Sequence, residues 1–236
     1  KTYMSTLPGN PWKRSGILAK AGLKTGGNYL RHHVGNAIPL KSFHQNKETL
    51  NRKNALSLIG ELSQLRGAAL KMAQGLSMDT GILPEEFAEV MNSAQYRVPP
   101  MNRSLVQIQF KKAMGVVPEQ LFKNFEYDAF AAATIGQVHR AEDKKGRLLA
   151  VKIQYPNVRR SIDSDLALLK TLAGSFLRKF DISEHLEEMK LRLLEETDYC
   201  KEGQNIEEFH QRFSSEMLLF PEYIGEHSNS KILCMT

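Results

Sequence analysis

Cysteine is almost missing from this chain: among 236 residues only Cys200 and Cys234 occur, and neither stands in a CxxC or a Cys/His cluster. That excludes a disulfide scaffold, argues against structural zinc, and points to reduced thiols in an intracellular protein. No apolar run approaches the roughly 18 to 20 residues that a membrane-spanning helix needs, and no apolar core of signal-peptide type lies near the start. Acid is nearly absent from the first quarter: residues 1 to 60 hold ten Lys/Arg and one carboxylate, Glu48, although the whole chain carries a net charge of +6. The basic character therefore belongs to the N-terminal quarter. Trp12 and Tyr29 among those lysines make no base-stacking motif, so nucleic acid is not an expected partner. His32, His33 and His139 lack ligand-spaced companions and read as surface or packing residues, and no metal site is expected in the chain. With 42% hydrophobic and 25% charged residues, the composition is that of an ordinary globular protein with enough chain for a substantial core.

What is present falls into two textures. Residues 1 to about 50 show no sustained period and are read as loosely helical. From Asn54 to Met78, Leu58, Leu62, Leu65, Ala69, Met72 and Leu76 recur at spacings of three and four, one face of a long helix. Pro84 opens a short helix in "EEFAEVMNSA", and Ser104 is expected to cap "LVQIQFKKAM" with Gly115 stopping it. Strand-like runs follow: "LFKNFEYDAF", an alanine stretch, "IGQVHRAED" and "RLLAVKIQY", with a Lys-Lys-Gly turn before the last. Two helices are then expected, one in "SIDSDLALLKTLAGSFLRKF" and one unbroken from about Ser183 to Phe213, before two short strands in "MLLFPEYI" and "SKILCMT". The order is helices, three strands, helices, two strands, and the expected fold is α+β after an all-helical extension. The boundaries read as 1–53 basic flank, 54–118 helical extension and 119–236 sheet domain. The chain starts at a lysine and stops at "ILCMT", and is expected to be a fragment.

Strand, small-residue turn, strand, then "LAVKIQ" is the layout of a kinase N-lobe, in which the lysine of V-A-I-K follows a Gly-rich loop. Lys152 fills that slot, and the kinase-like layout implies an antiparallel sheet of about five strands with an αC-type helix. Such a site needs a cation that reaches two phosphates and a carboxylate that holds it. On this motif alone, an edge lysine with its head in water accounts for the residue equally well.

Three more segments resemble the UbiB/AarF family of atypical kinase-like proteins, whose members support ubiquinone (coenzyme Q) biosynthesis. "LRGAALKMAQGLSMD" is similar to the family's KxGQ helix, "FAAATIGQVHRA" to its alanine-rich loop, and "VKIQYPNVRRSIDSDL" with "LLEETDY" to its lysine strand and ExD helix. The resemblance covers roughly residues 54 to 236. It implies a kinase-like N-lobe that binds ATP or ADP with Mg²⁺, and a protein that hydrolyses ATP, with a phosphotransfer-free, nucleotide-sensing pseudokinase or scaffold as the alternative. Neither a catalytic-loop Asp/Asn pair nor a DFG motif is present, so the metal ligands and the base are expected in a C-lobe outside this chain, and no turnover is expected of the chain as it stands. Implied partners are adenine nucleotide, quinone-biosynthesis proteins and an anionic membrane surface; a merely solvated basic tail remains the plain alternative for the N-terminal quarter. Implied locations are the bacterial cytoplasm beside the inner membrane, the mitochondrial matrix or the plastid.

Position by position, the nucleotide-binding loop would comprise Ala131, Ala132, Ala133, Thr134, Ile135, Gly136, Gln137 and Val138, with Lys152 beneath it. Alanine at 131–133 disfavours the backbone conformations that glycine allows and takes up room over the phosphates, so a stiffer loop is expected. Lys71 and Gln74 match the KxGQ motif, with Ala73 replacing its glycine, and stand about 60° apart on a helix. They are regulatory candidates that would obstruct a protein-substrate site, with Gly67, Ala68, Ala69, Ala73 and Gly75 permitting close approach. Glu196 and Asp198 match ExD, and Glu202 falls where the family has a further glutamate; with Lys152, the resemblance implies that these three are the catalytic candidates. On an unbroken helix Glu196 and Asp198 diverge by about 200°, whereas Asp198 and Glu202 lie within about 40°. Glu202 is therefore the expected partner of Lys152, and Glu196 that of Lys71.

Overall fold

The computed structural model describes residues 16, 49, 52–56, 71, 75, 85, 89, 100–133, 135–176, 183–213 and 219–236. The chain divides into two compact units, one built on Arg97–Ser161 and Leu191–Thr236 with Lys1–Leu7, the other on Pro8–Tyr96 and Ile162–Lys190.

In the first unit, α1 (Arg103–Met114) starts at Asn102, whose carboxamide oxygen accepts the Leu105 N–H at 2.9 Å. Ser104, the expected cap, already lies in the first turn. Asn102 takes the role because its own extended backbone directs the side chain back at the free amides. The helix ends as read, on Gly115 at φ 80°, whose N–H returns to the Lys111 carbonyl at 2.8 Å. A four-residue turn, α2 (Pro118–Leu121), leads into the sheet.

The strands are β1 (Phe122–Phe125), β2 (Ala131–Ala132), β3 (Gly136–Asp143), β4 (Leu148–Gln154) and β5 (Ile232–Met235). The sheet is antiparallel in the order β1-β3-β4-β5, with β2 also pairing to β3. Gly146, at φ 85°, turns the β3–β4 hairpin. Asp143 holds that turn by accepting the N–H groups of Lys145 and Arg147 at 2.9 and 2.8 Å and pairing with Arg147 Nε at 2.6 Å.

Register assigns the two faces. Gln137, Ile153 and Ile232 are aligned, as are His139, Val151 and Cys234, and they share one face. Val138, Lys152 and Leu233 are aligned on the other. Val106 and Phe110 of α1 join the first face, and Phe110 meets the rings of Phe122 and Phe125 at 5.9 and 6.0 Å. Residues 219–224, expected as a strand, contribute a single bridge from Tyr223 to Met235; Pro221 supplies no N–H for a ladder. Positions 217 and 218 of that run lie outside the described residues.

Among the described residues, three α-helices stand between β4 and β5: α3 (Val158–Phe176), α4 (Ser183–Glu196) and α5 (Tyr199–Arg212). The single helix expected from Ser183 is thus two. Thr197 and Asp198 break it with their side chains: Thr197 Oγ1 donates to the Leu194 carbonyl at 2.8 Å, and the Asp198 carboxylate accepts the Cys200 N–H at 3.2 Å as the N-cap of α5. The Tyr199 N–H donates to the Ser230 carbonyl at 3.2 Å, which ties the start of α5 to the turn before β5. Among the described residues no helix is long and apolar enough to cross a membrane.

In the second unit, Ile162, Leu166, Leu169 and Leu186 are buried, and Lys190 pairs with Asp163 at 2.8 Å. Gly75 sits so near Met189 that a Cβ would lie 2.6 Å from its Cε.

Candidate nucleotide-binding site

Lys152 lies in β4 between Val151 and Ile153, which are 0% and 1% exposed on the α1 side of the sheet. Alternation therefore turns Lys152 to the opposite face, where α5 packs. A lysine held there at 16% side-chain exposure needs a counter-charge. Glu202, in the first turn of α5, supplies it: Nζ donates to Oε1 at 2.7 Å and to Oε2 at 2.9 Å. The structure thus brings together the lysine and the glutamate that analogy had paired. The Tyr199 ring closes the underside of the ammonium, with Nζ 4.7 Å from its centroid.

The placement of Glu202 depends on its neighbours. Gly203 faces the Tyr223 ring so closely that a Cβ would overlap it. Tyr223 in turn bridges to Met235 at the end of β5. Asp198, an ExD residue assigned above to catalysis, caps α5, and its carbonyl accepts the Glu202 N–H at 3.2 Å. Glu196 is the last residue of α4 and is half-buried. Burial, followed by the charge of Glu202 and then those of Tyr155 and Glu196, pushes the Tyr199 phenol far above its usual range.

The alanine-rich segment forms a tight hairpin. Ala131 pairs with Val138 and Ala132 with Gln137, and the Ala133 N–H donates to the Gly136 carbonyl at 2.9 Å. Ile135 is buried, and its carbonyl accepts the Tyr155 N–H at 2.9 Å, so the hairpin tip is tied to the end of β4. Gly136 has no room for a side chain: a Cβ would stand 2.6 Å from the Ile153 carbonyl oxygen and 2.8 Å from the Tyr199 hydroxyl.

Not every residue of the expected loop turns toward Lys152. Gln137 is fully buried on the α1 face, where its Oε1 accepts the Met101 N–H at 2.7 Å and its Nε2 meets His139 Nε2 at 2.8 Å. Gln137, expected in the nucleotide-binding loop, has its side chain in the core, because it stands one position from Val138 in a strand whose side chains alternate. The Ile135 side chain is likewise buried. Val138, opposite Lys152, and Ala150, two residues before it, are half-buried on the lysine face. His139, read as a surface or packing residue, packs: it is 0% exposed, it stacks on Phe125 at 5.2 Å, and its Nδ1 donates to the Glu126 carbonyl at 2.9 Å. Burial pushes its imidazole down to about 4, against the opposing pull of the Glu126 carbonyl and Asp128. Cys234 is buried, and burial pushes its thiol up to about 12. Lys71 is helical and half-buried. Gln74 and Thr134 lie outside the described residues, as do Gly67, Ala68, Ala69 and Ala73.

Sequence reasoning missed Tyr199, Gly203, Tyr223 and Ala150. A signal for Tyr199 was present: it precedes Glu202 by three positions on one helix face. For a nucleotide the residues present fit, offering a cation held by a carboxylate under a tight hairpin, with small apolar side chains beside it. For Mg²⁺ they do not: among the described residues, no group of three or more His, Cys, Asp or Glu side chains could hold a metal ion.

Residues 93–236 match the ABC1 atypical kinase-like domain. The chain is 33% identical over 189 residues to the mitochondrial atypical kinase coq-8 of Caenorhabditis elegans, an alignment covering 78% of this chain and 25% of that protein. It is 32% identical over 192 residues to the mitochondrial atypical kinase COQ8 of Saccharomyces cerevisiae, covering 79% and 38%, and 32% identical over 197 residues to the probable protein kinase UbiB of Aeromonas hydrophila, covering 80% and 36%. The chain thus spans well under half the length of these curated relatives. With an antiparallel five-stranded sheet, a helix whose glutamate meets the strand lysine, and a domain match across both, the chain belongs to the ABC1 atypical kinase-like family.

Proposed function

We propose that this chain carries the nucleotide-binding lobe of an atypical kinase or ATPase of the UbiB type, which binds ATP or ADP with Mg²⁺ in support of ubiquinone or related prenyl-lipid biosynthesis. The observation that carries the reading is the two-point contact of Lys152 with Glu202 on a half-buried sheet face. An ammonium so held presents its remaining donor to a phosphate oxygen at little ordering cost. Val138 and Ala150 supply the apolar surface a purine ring stacks against. The alanine hairpin, tied at Ile135 and Gly136, covers the phosphates with Cβ atoms where glycines would expose amide groups.

In this reading Lys152 and Glu202 are the binding pair, Asp198 and Glu196 set the helix ends beside them, and Lys71 and Gln74 restrain transfer to protein substrates. The metal ligands and the base come from outside this chain. The acid-poor N-terminal quarter would sit against an anionic membrane surface, in a mitochondrion, a plastid or at the bacterial inner membrane, among quinone-biosynthesis proteins.

Titration of Mg-ATP and Mg-ADP into the protein by calorimetry tests the core of this reading. Binding that is lost in Lys152→Ala and in Glu202→Lys supports it; equal affinity in wild type and both variants sinks it. ATPase activity of the full-length protein on lipid vesicles then separates turnover from a nucleotide-sensing scaffold, which binds without hydrolysis.

A further inference from the structure

Tyr199 is fully buried, yet its hydroxyl makes no hydrogen bond among the described residues. Burying a phenol without a partner costs stability that phenylalanine would avoid, so the residue type calls for an explanation. The ring, not the hydroxyl, makes the informative contacts. Its face lies 4.7 Å from Lys152 Nζ, and its far end abuts Gly136, the first residue of β3 after the alanine hairpin. Its backbone N–H is anchored to Ser230, and α5 is seated by Gly203 on Tyr223, so the ring cannot drift from the lysine.

We propose that Tyr199 is a positioning residue for Lys152: its electron-rich face holds the ammonium in place on one side while Glu202 holds it on another, leaving the remaining side for the ligand's phosphate. The inference rests on the nucleotide-binding reading of this site. A phosphate that accepts the remaining N–H also pulls the ammonium away from Glu202. The ring uses none of the N–H donors, so it keeps the cation in place against that pull and excludes water from beneath it. The face of the ring, rather than its hydroxyl, supplies this contact. The Tyr199 hydroxyl also stands against Gly136, where, with the Ile153 carbonyl, it leaves no room for a side chain.

The test varies the ring's electron density without changing its shape. Phenylalanine and its mono-, di- and trifluorinated analogues are placed at position 199 of the full chain, and two quantities are read. Mg-ATP affinity falls stepwise with fluorination, to about tenfold below the Phe variant. Tyr199→Leu loses about as much, and Tyr199→Phe restores most of it. Independently of nucleotide, the rate at which an amine-acylating reagent labels Lys152, followed by peptide mass spectrometry, rises along the same series, while the melting temperature stays level. Affinity and labelling that are indifferent to fluorination overturn the proposal, since a purely space-filling ring would give that result. Wild-type protein that binds no nucleotide while the labelling series still rises overturns the nucleotide reading and leaves the positioning role standing.

Discussion

Lowering the pH should unlatch the α1 face of the sheet through His139. In the folded chain Gln137 Oε1 is taken by the Met101 N–H, so Gln137 Nε2 must donate to His139 Nε2, while His139 Nδ1 donates to the Glu126 carbonyl. That network requires a neutral imidazole. A second ring proton would face an N–H donor with no oxygen free to turn toward it. Burial accordingly brings the group from 6.5 to about 4. The unfolded chain then binds more protons than the folded one between those values, so the stabilisation is fully present above about pH 6.5 and is lost as pH falls toward 4. At 1.36 kcal/mol per pH unit the full loss is about 3 kcal/mol, of which about 2 should be gone at pH 5, before most carboxylates titrate. Urea unfolding of wild type and His139→Gln at a series of pH values from about 7.5 to 5 measures it. Wild type should lose about 2 kcal/mol across that window, and the variant, lacking the titrating group, well under half as much. Parallel pH profiles for the two proteins would refute the reasoning, as would a folded-state His139 titrating near 6.5 by NMR.

Three further outcomes follow from the geometry. Gly203→Ala, which would stabilise an open helix by about 1 kcal/mol, should instead destabilise the protein by about 2 kcal/mol, because the new methyl overlaps the Tyr223 ring; Tyr223→Leu in the same chain should recover part of it, and a stabilised single variant would contradict the packing. Asp198→Ala should cost about 1 kcal/mol through the lost cap of α5 and should weaken Mg-ATP binding by loosening the turn that carries Glu202, an effect Asp198→Asn largely reverses. Ala132→Gly should loosen the hairpin, costing about 0.5–1 kcal/mol, and should shift the ATP-to-ADP preference or raise autophosphorylation in the full-length protein; if neither changes, the alanines serve only as a small-residue turn.

Much of the fold was legible because it rests on short-range rules. The stop at Gly115, the Lys-Lys-Gly hairpin and the alternation of Val151, Lys152 and Ile153 are written in neighbouring residues. The helix break was written there too, in Thr197 and Asp198, but an uninterrupted run of helix-formers on both sides concealed it. Only the link from Tyr199 N–H to the Ser230 carbonyl, made across the fold, shows why the chain restarts at that point. Ser104 was the expected cap, and the extended backbone at Asn102 gave that role to Asn102 instead.

The sequence by itself determined the lysine strand, the hairpin turn that leads into it and the small-residue turn before that, because hydrophobic period and turn chemistry act within a few positions of one another. The tertiary structure alone decided which residues around that small-residue turn face the candidate site. Strand register sends Val138 to the lysine side and Gln137 into the core, although the two are adjacent in sequence. It also decided that Tyr199 lies beneath the ammonium and that Gly203 admits Tyr223, since residues so far apart in sequence meet only when the sheet and α5 have packed.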